Sequence, residues 1–184
     1  QQWQFRVLSI PIYKATDIIL GRPFMKFFDY VMFDNVKHKA VFSKDGAFKP
    51  DNPKLWSSYS FSEDPNNGDT IMVDIPIAGN ILTIPFDSCG GKLTLNKKQW
   101  QVIEQNLTVK RLKKANFTIY NGTTFPCKKA TISELSIADK IIKNADVLIN
   151  NEPEGICVFS LGYFQDTVVV LDFVNKLFWI KKAK

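Results

Sequence analysis

The sequence predicts an all-β fold with short helices, and three observations lead there. Residues 71–77 and 81–86 are runs of β-forming side chains separated by Ala78-Gly79-Asn80, the pattern of a hairpin whose turn residues tolerate unusual backbone angles. Residues 168–180 form a second apolar pair, turning through an Asp-to-Lys segment. Finally, the chain repeats itself: Asp34 to Phe42 and Asp172 to Ile180 match without a gap. In both copies a Leu-Gly, at Gly21 and Gly162, precedes an aromatic-rich segment, an apolar run ending in Asp, a Lys-bearing turn and another apolar strand. A duplicated unit ending accounts for this more economically than coincidence.

In chain order, Trp3, Phe5, Val7, Leu8 and Ile10 mostly alternate with polar residues, so a strand is expected within residues 1–12. The first repeat copy follows. Residues 43–68 are rich in Pro, Asn, Asp and Ser, including Lys49-Pro50-Asp51-Asn52-Pro53 and Asp64-Pro65-Asn66-Asn67-Gly68, and read as an exposed connection. After the hairpin, the strand ending at Phe86 runs straight into Asp87-Ser88-Cys89-Gly90-Gly91, and apolar alternation resumes at Leu93 and Leu95. This is a strand delivering a carboxylate onto a tight glycine loop, where a Cβ would obstruct chain reversal. Asn96-Lys97-Lys98-Gln99 then has the form of a helix start: Asn96 caps, Gln99 reaches back, and Trp100 and Ile103 begin an apolar face. In residues 124–151, Ile132, Leu135, Ile137, Ile141, Ile142 and Leu148 fit a helix and a pair of short strands almost equally well.

At 184 residues with 45% apolar content, the chain is long and apolar enough for one or two compact units. Its net charge of +6 is spread over 24 basic residues, clustered only at Lys110 to Lys114 and Lys181 to Lys184; these read as solvated lysines, and no nucleic-acid partner is expected. No apolar run approaches the roughly 20 residues of a membrane-spanning helix. A chain starting at Gln1 is read as processed, trimmed or engineered there, so a signal peptide would lie outside it. No Cys or His spacing suits a metal, no cofactor is expected, and His38 is the only histidine, which argues against a Ser-His or Cys-His nucleophile.

With the Asp87 loop upstream, Phe159-Ser160-Leu161-Gly162-Tyr163-Phe164 and the closing strand pair resemble one lobe of a pepsin-like or retropepsin-like aspartic peptidase. In that family an Asp-Thr/Ser-Gly-Ser/Thr loop is followed by an apolar-apolar-Gly segment and a strand pair around an Asp. Ile19-Leu20-Gly21-Arg22-Pro23-Phe24-Met25 with Tyr30-Val31-Met32-Phe33-Asp34 resembles the terminal segment of a pepsin C-lobe. The resemblance implies a pepsin-like acid protease lobe over residues 69–184, the end of a preceding lobe over 1–46 and a connecting segment over 47–68. It also favours strands in residues 124–151.

The chemistry so implied needs two carboxylates sharing a proton, because like charges that close cannot both ionise; one serves as acid and one as base toward a water between them. Asp87 would be one of the pair, followed by Ser88, with the second Asp supplied by a preceding lobe, another chain or a symmetry mate, and with a peptide or protein as substrate. Asp34 and Asp172 read as turn residues instead. The loop departs from the family pattern: Cys89 stands at the usual Gly, and Gly90-Gly91 replace the usual hydroxyl pair. Against the family pattern, a Cβ at residue 89 would be expected to push the loop outward, and the missing hydroxyls to remove hydrogen bonds that hold the Asp in place. Cys89, Gly90, Gly91 and Gly162 are thus the expected loop-shaping residues.

Two functions follow: a pepsin-like endopeptidase, or a catalytically inactive relative serving extracellular binding or assembly. An unrelated β-rich extracellular binding domain remains only if the repeat is accidental. Three N-glycosylation acceptor patterns, at Asn106, Asn116 and Asn121, favour a secreted protein or one in the lumen of the secretory or lysosomal pathway. Of three cysteines, the spacing of Cys127 and Cys157 within the expected lobe makes them the preferred disulfide pair, leaving Cys89 free or bonded elsewhere.

Overall fold

A computed structural model describes residues 22–66, 68, 70–88, 91, 93–119 and 122–182. The strand expected within residues 1–12, Gly21, Cys89, Gly90 and Asn121 lie outside the described residues. The described chain is all-β with short helices. In order it runs α1 (Arg22–Met25), β1 (Tyr30–Asp34), β2 (Lys39–Ser43), β3 (Trp56–Glu63), β4 (Ile71–Ile77), β5 (Asn80–Asp87), β6 (Leu93–Leu95), α2 (Lys97–Ile103), β7 (Val109–Thr118), β8 (Thr124–Ile137), β9 (Lys140–Asn150), β10 (Phe159–Ser160), β11 (Val168–Asp172) and β12 (Leu177–Lys181). Neighbouring strands follow the path β2-β1-β11-β12-β3-β4-β8-β9-β6, with β5 on β4 and β10, and β7 on β8.

Period-two patterning builds the core. Ile71, Val73, Ile75 and Ile77 of β4 are fully buried, and Leu82, Ile84 and Phe86 of β5 face the same interior. Each such side chain contributes roughly 1.5–3 kcal/mol by leaving water. The β4–β5 turn places Ala78 at φ 49° and Gly79 at φ 79°, the double left-handed geometry of a two-residue hairpin.

The repeat is visible in the backbone. β1 and β11 pair antiparallel with Met32 opposite Val170, the residues that the repeat makes equivalent, so a local two-fold axis passes through that pair. Lys39 lies opposite Asp34, and Leu177 opposite Asp172, in matching registers. Both hairpins turn through a left-handed residue at the same place, His38 at φ 53° and Lys176 at φ 55°. Both are held by the preceding Asp: Lys37 N donates to Asp34 at 3.0 Å, and Asn175 N donates to Asp172 at 3.1 Å. The two aspartates are turn residues, as their sequence setting implies.

Some local expectations need revision. The polar segment 47–68 contains β3, which bridges β12 and β4, with Trp56 buried against Phe48 and Phe61 in the hydrophobic core. Residues 124–151 are two long strands, the alternative favoured by the family resemblance. In α2, Asn96 accepts from Gln99 N at 2.9 Å, and Trp100 and Ile103 are buried. The Gln99 side chain does not reach back to the cap; its amide donates to the Thr83 carbonyl at 3.3 Å. The Cys127–Cys157 disulfide is not formed, and both thiols are free. Cys127 sits inside β8 opposite Asn150, while Cys157 lies in the segment entering β10, so the lobe holds them on separate elements. Burial pushes both thiols up, at Cys157 against a partly offsetting hydrogen bond to Gln99.

Candidate active site

Asp87 is the last residue of β5, exposed, and Ser88 follows it half-buried in the turn. Strand alternation fixes this: Phe86 points inward, so its successor points out. The Phe86 ring lies 5.2 Å from Phe178 and 6.2 Å from Phe159, and Phe159 packs against Phe164 at 5.6 Å and Phe178 at 5.8 Å. Phe86, immediately before the carboxylate, is thus one of four rings in a buried cluster.

On its flank β5 carries β10 in parallel, with Phe159 opposite Phe86 and Ser160 opposite Asp87. Ser160 is 1% exposed, so a buried hydroxyl-bearing residue lies in register with the acid. Two residues on, Gly162 meets the far side of the Asp87 loop. A Cβ built there would stand 2.0 Å from the Gly91 carbonyl oxygen and 2.5 Å from its carbon. Glycine is required at 162 by this backbone approach. Gly91 itself is exposed, with open space where its Cβ would be.

The segment around Gly162 is fixed by polar contacts. The Tyr163 hydroxyl donates to the Asp146 carbonyl of β9, and Lys140 Nζ donates to the Tyr163 carbonyl at 2.8 Å while pairing with Asp166. Burial pushes the Tyr163 phenol up to about 12. The hydrogen bond from Lys140 holds the Asp166 carboxyl below the ordinary range.

The structure thus brings together Asp87, Ser88, Gly91 and Gly162 of the expected site residues. Asn106 and Asn116 are exposed and lie on other elements, and Cys127 belongs to β8. Asn106 donates its amide to the Ala78 carbonyl at 3.0 Å. Sequence reasoning did not single out Ser160 and Tyr163. Their signal was the stretch Phe159-Ser160-Leu161-Gly162-Tyr163, in which Gly162 alone drew notice. His38 is exposed in the β1–β2 turn, and among the described residues no group of three His, Cys, Asp or Glu is disposed to hold a metal. Nor is any described helix long and apolar enough to cross a membrane.

The chain matches no protein-family model, and no curated protein sequence matches it. Among solved structures, a retropepsin-like aspartic protease from Rickettsia conorii is similar, with 10% identity and a TM-score of 0.48 over 69% of this chain and 92% of the other. The likeness is distant and is one of fold.

Proposed function

We infer that this chain is the C-terminal part of a pepsin-like aspartic endopeptidase homologue, in which Asp87 is one of two carboxylates that activate water for peptide-bond hydrolysis. One observation carries the reading: a strand-end acid held in parallel register beside Ser160, with its loop pressed against the backbone at Gly162. The pairing of Asp87 with Ser160 and the contact of Gly91 with Gly162 support a fixed carboxylate, which catalysis by a carboxylate pair demands. The second acid comes from another lobe or chain. The local two-fold supports this, since it gives the β1–β2 hairpin the same relation to a counterpart lobe that β11–β12 has to the Asp87 lobe.

In this reading the second lobe also covers the exposed Asp87, and the substrate is an extended peptide lying between the lobes. With both carboxylates near each other, one is protonated at acidic pH and donates to the scissile carbonyl while the other takes a proton from water. The exposed acceptor Asn116 supports a secreted or secretory-lumen location.

A second reading has its own support: Cys89-Gly90-Gly91 lacks the hydroxyls that tie down the loop in active relatives, which favours an inactive binding or assembly role. Hydrolysis of a quenched peptide at acidic pH by the full assembly separates the two. The endopeptidase reading expects turnover that disappears in Asp87→Ala. Tight peptide binding without turnover, unchanged in Asp87→Ala, supports the inactive relative instead.

A further inference from the structure

Six cations, Lys110, Arg111, Lys113, Lys114, Lys128 and Lys129, fall between Gln105 and Ser133, a stretch with no Asp or Glu. The whole chain has 24 basic and 18 acidic residues, so without these six it holds 18 of each. Its net charge of +6 is therefore matched by this one stretch of the β7–β8 ribbon, whose only acid, Glu134, lies beyond it near the end of β8. Pairing concentrates it further, because Lys113 lies opposite Lys129 and Lys114 opposite Lys128. Like charges directly across a strand pair are destabilising. Lys129 is relieved by Asp146 at 2.5 Å, and Lys110 reaches the neutral Asn144 at 2.8 Å. Among the described residues Arg111, Lys113, Lys114 and Lys128 make no ion pair.

Among the described residues β7 pairs with β8 alone, so its other edge presents open backbone donors and acceptors. Every side chain from Val109 to Lys114 is exposed. A lysine or two on an edge strand is an ordinary guard against self-association. Such a guard does not require lysines stacked on lysines at a cost to the sheet. We propose that the open edge of β7 around Arg111 to Lys114 receives an acidic, extended segment of a partner protein as an added strand.

Side-chain direction selects this occupant. Arg111, Lys113 and Lys129 share one face of the ribbon, and Lys114 and Lys128 share the other. A flat anionic membrane meets only one of these sets at a time. An added strand alternates in the same way, so its acids reach cations on both faces while its backbone completes the edge.

The test is fluorescence anisotropy of the whole chain with a short labelled peptide of Val, Thr and Glu. Comparison probes are the same peptide with Gln for Glu, a version of equal charge interrupted by Pro, phosphatidylserine-containing vesicles and single-stranded DNA. The Glu peptide is expected to bind and to weaken as salt rises. It should lose at least about tenfold in affinity when Lys113→Glu and Lys114→Glu are combined, and again when Pro removes its backbone donors. Both lysines are exposed, and thermal unfolding verifies the variant's fold; Lys113→Gln with Lys114→Gln serves if charge reversal impairs folding. Equal binding of the Pro-interrupted peptide, no binding of the Glu peptide, or tighter binding of vesicles or DNA overturns the proposal.

Discussion

Replacing Gly162 by Ala tests the packing beneath the candidate site. The new Cβ would stand 2.0 Å from the Gly91 carbonyl oxygen, where ordinary contact needs about 3.5 Å, so the shortfall is about 1.5 Å. Its neighbours are backbone atoms, which cannot swing aside as a side-chain tip can. Either the Asp87 loop or the segment after β10 must move, and the latter is tied through Tyr163 and Lys140. Overpacking of this kind costs about 3 kcal/mol, which for a chain of this size lowers Tm by about 6–12 °C. Urea and thermal unfolding measure the loss. Gly91→Ala is the matched control, since its Cβ enters open space and should change stability by less than about 0.5 kcal/mol. A Gly162→Ala protein within that same margin of the parent would refute the close approach of Gly91 to Gly162.

The duplicated turns should differ in cost. Asp172 is fully buried and accepts from Val174 N, Asn175 N and Asn175 Nδ2, so Asp172→Ala should lose about 2–4 kcal/mol in urea unfolding, whereas half-buried Asp34→Ala should lose about 1 kcal/mol. With the Tyr163 phenol raised to about 12, the folded state favours the protonated form; stability is intact below the ordinary tyrosine value near 10 and declines by about 2–3 kcal/mol as pH rises through about 12. Tyr163→Phe should remove that decline while losing the hydrogen bond to Asp146, and an unchanged alkaline profile would contradict the burial. At the acid end, Glu63 held low by Lys26 and Lys176, and Asp166 held low by Lys140, contribute stability above the ordinary carboxylate value that is lost as pH falls through their depressed values; the signature is unfolding shifted upward in pH when Lys140→Gln is introduced. Alkylation in denaturant without reductant should label both Cys127 and Cys157, and recovery of an unlabelled linked pair would contradict their free state.

What the sequence disclosed was local in character. Strand alternation, the Ala78-Gly79 turn, the Asn96 cap and the Asp34 and Asp172 turns depend on neighbours a few residues apart, and a single chain displays such neighbours directly. The repeat added one long-range fact, the pairing of two equivalent strands. What stayed hidden depended on distant segments meeting. Ser160 gains meaning only when β10 aligns with β5, and Gly162 only when Gly91 arrives against it. The cations looked scattered because Lys128 and Lys129 are far along the chain from Lys113 and Lys114, until the hairpin stacks them. β3 is obscured because its two buried residues, Trp56 and Phe61, are five positions apart among serines and give no period-two pattern. Cysteine spacing carries no geometry, so it does not disclose whether Cys127 and Cys157 approach closely enough to bond.

The most direct measurement is calorimetric titration of the complete assembly with a statine-containing peptide at acidic pH, comparing the parent with Asp87→Asn. If Asp87 contacts the reacting centre, one inhibitor binds per pair of lobes, and the substitution weakens it by at least about a hundredfold. Equal affinity in the two proteins, or no binding by the parent, contradicts a catalytic carboxylate at the end of β5.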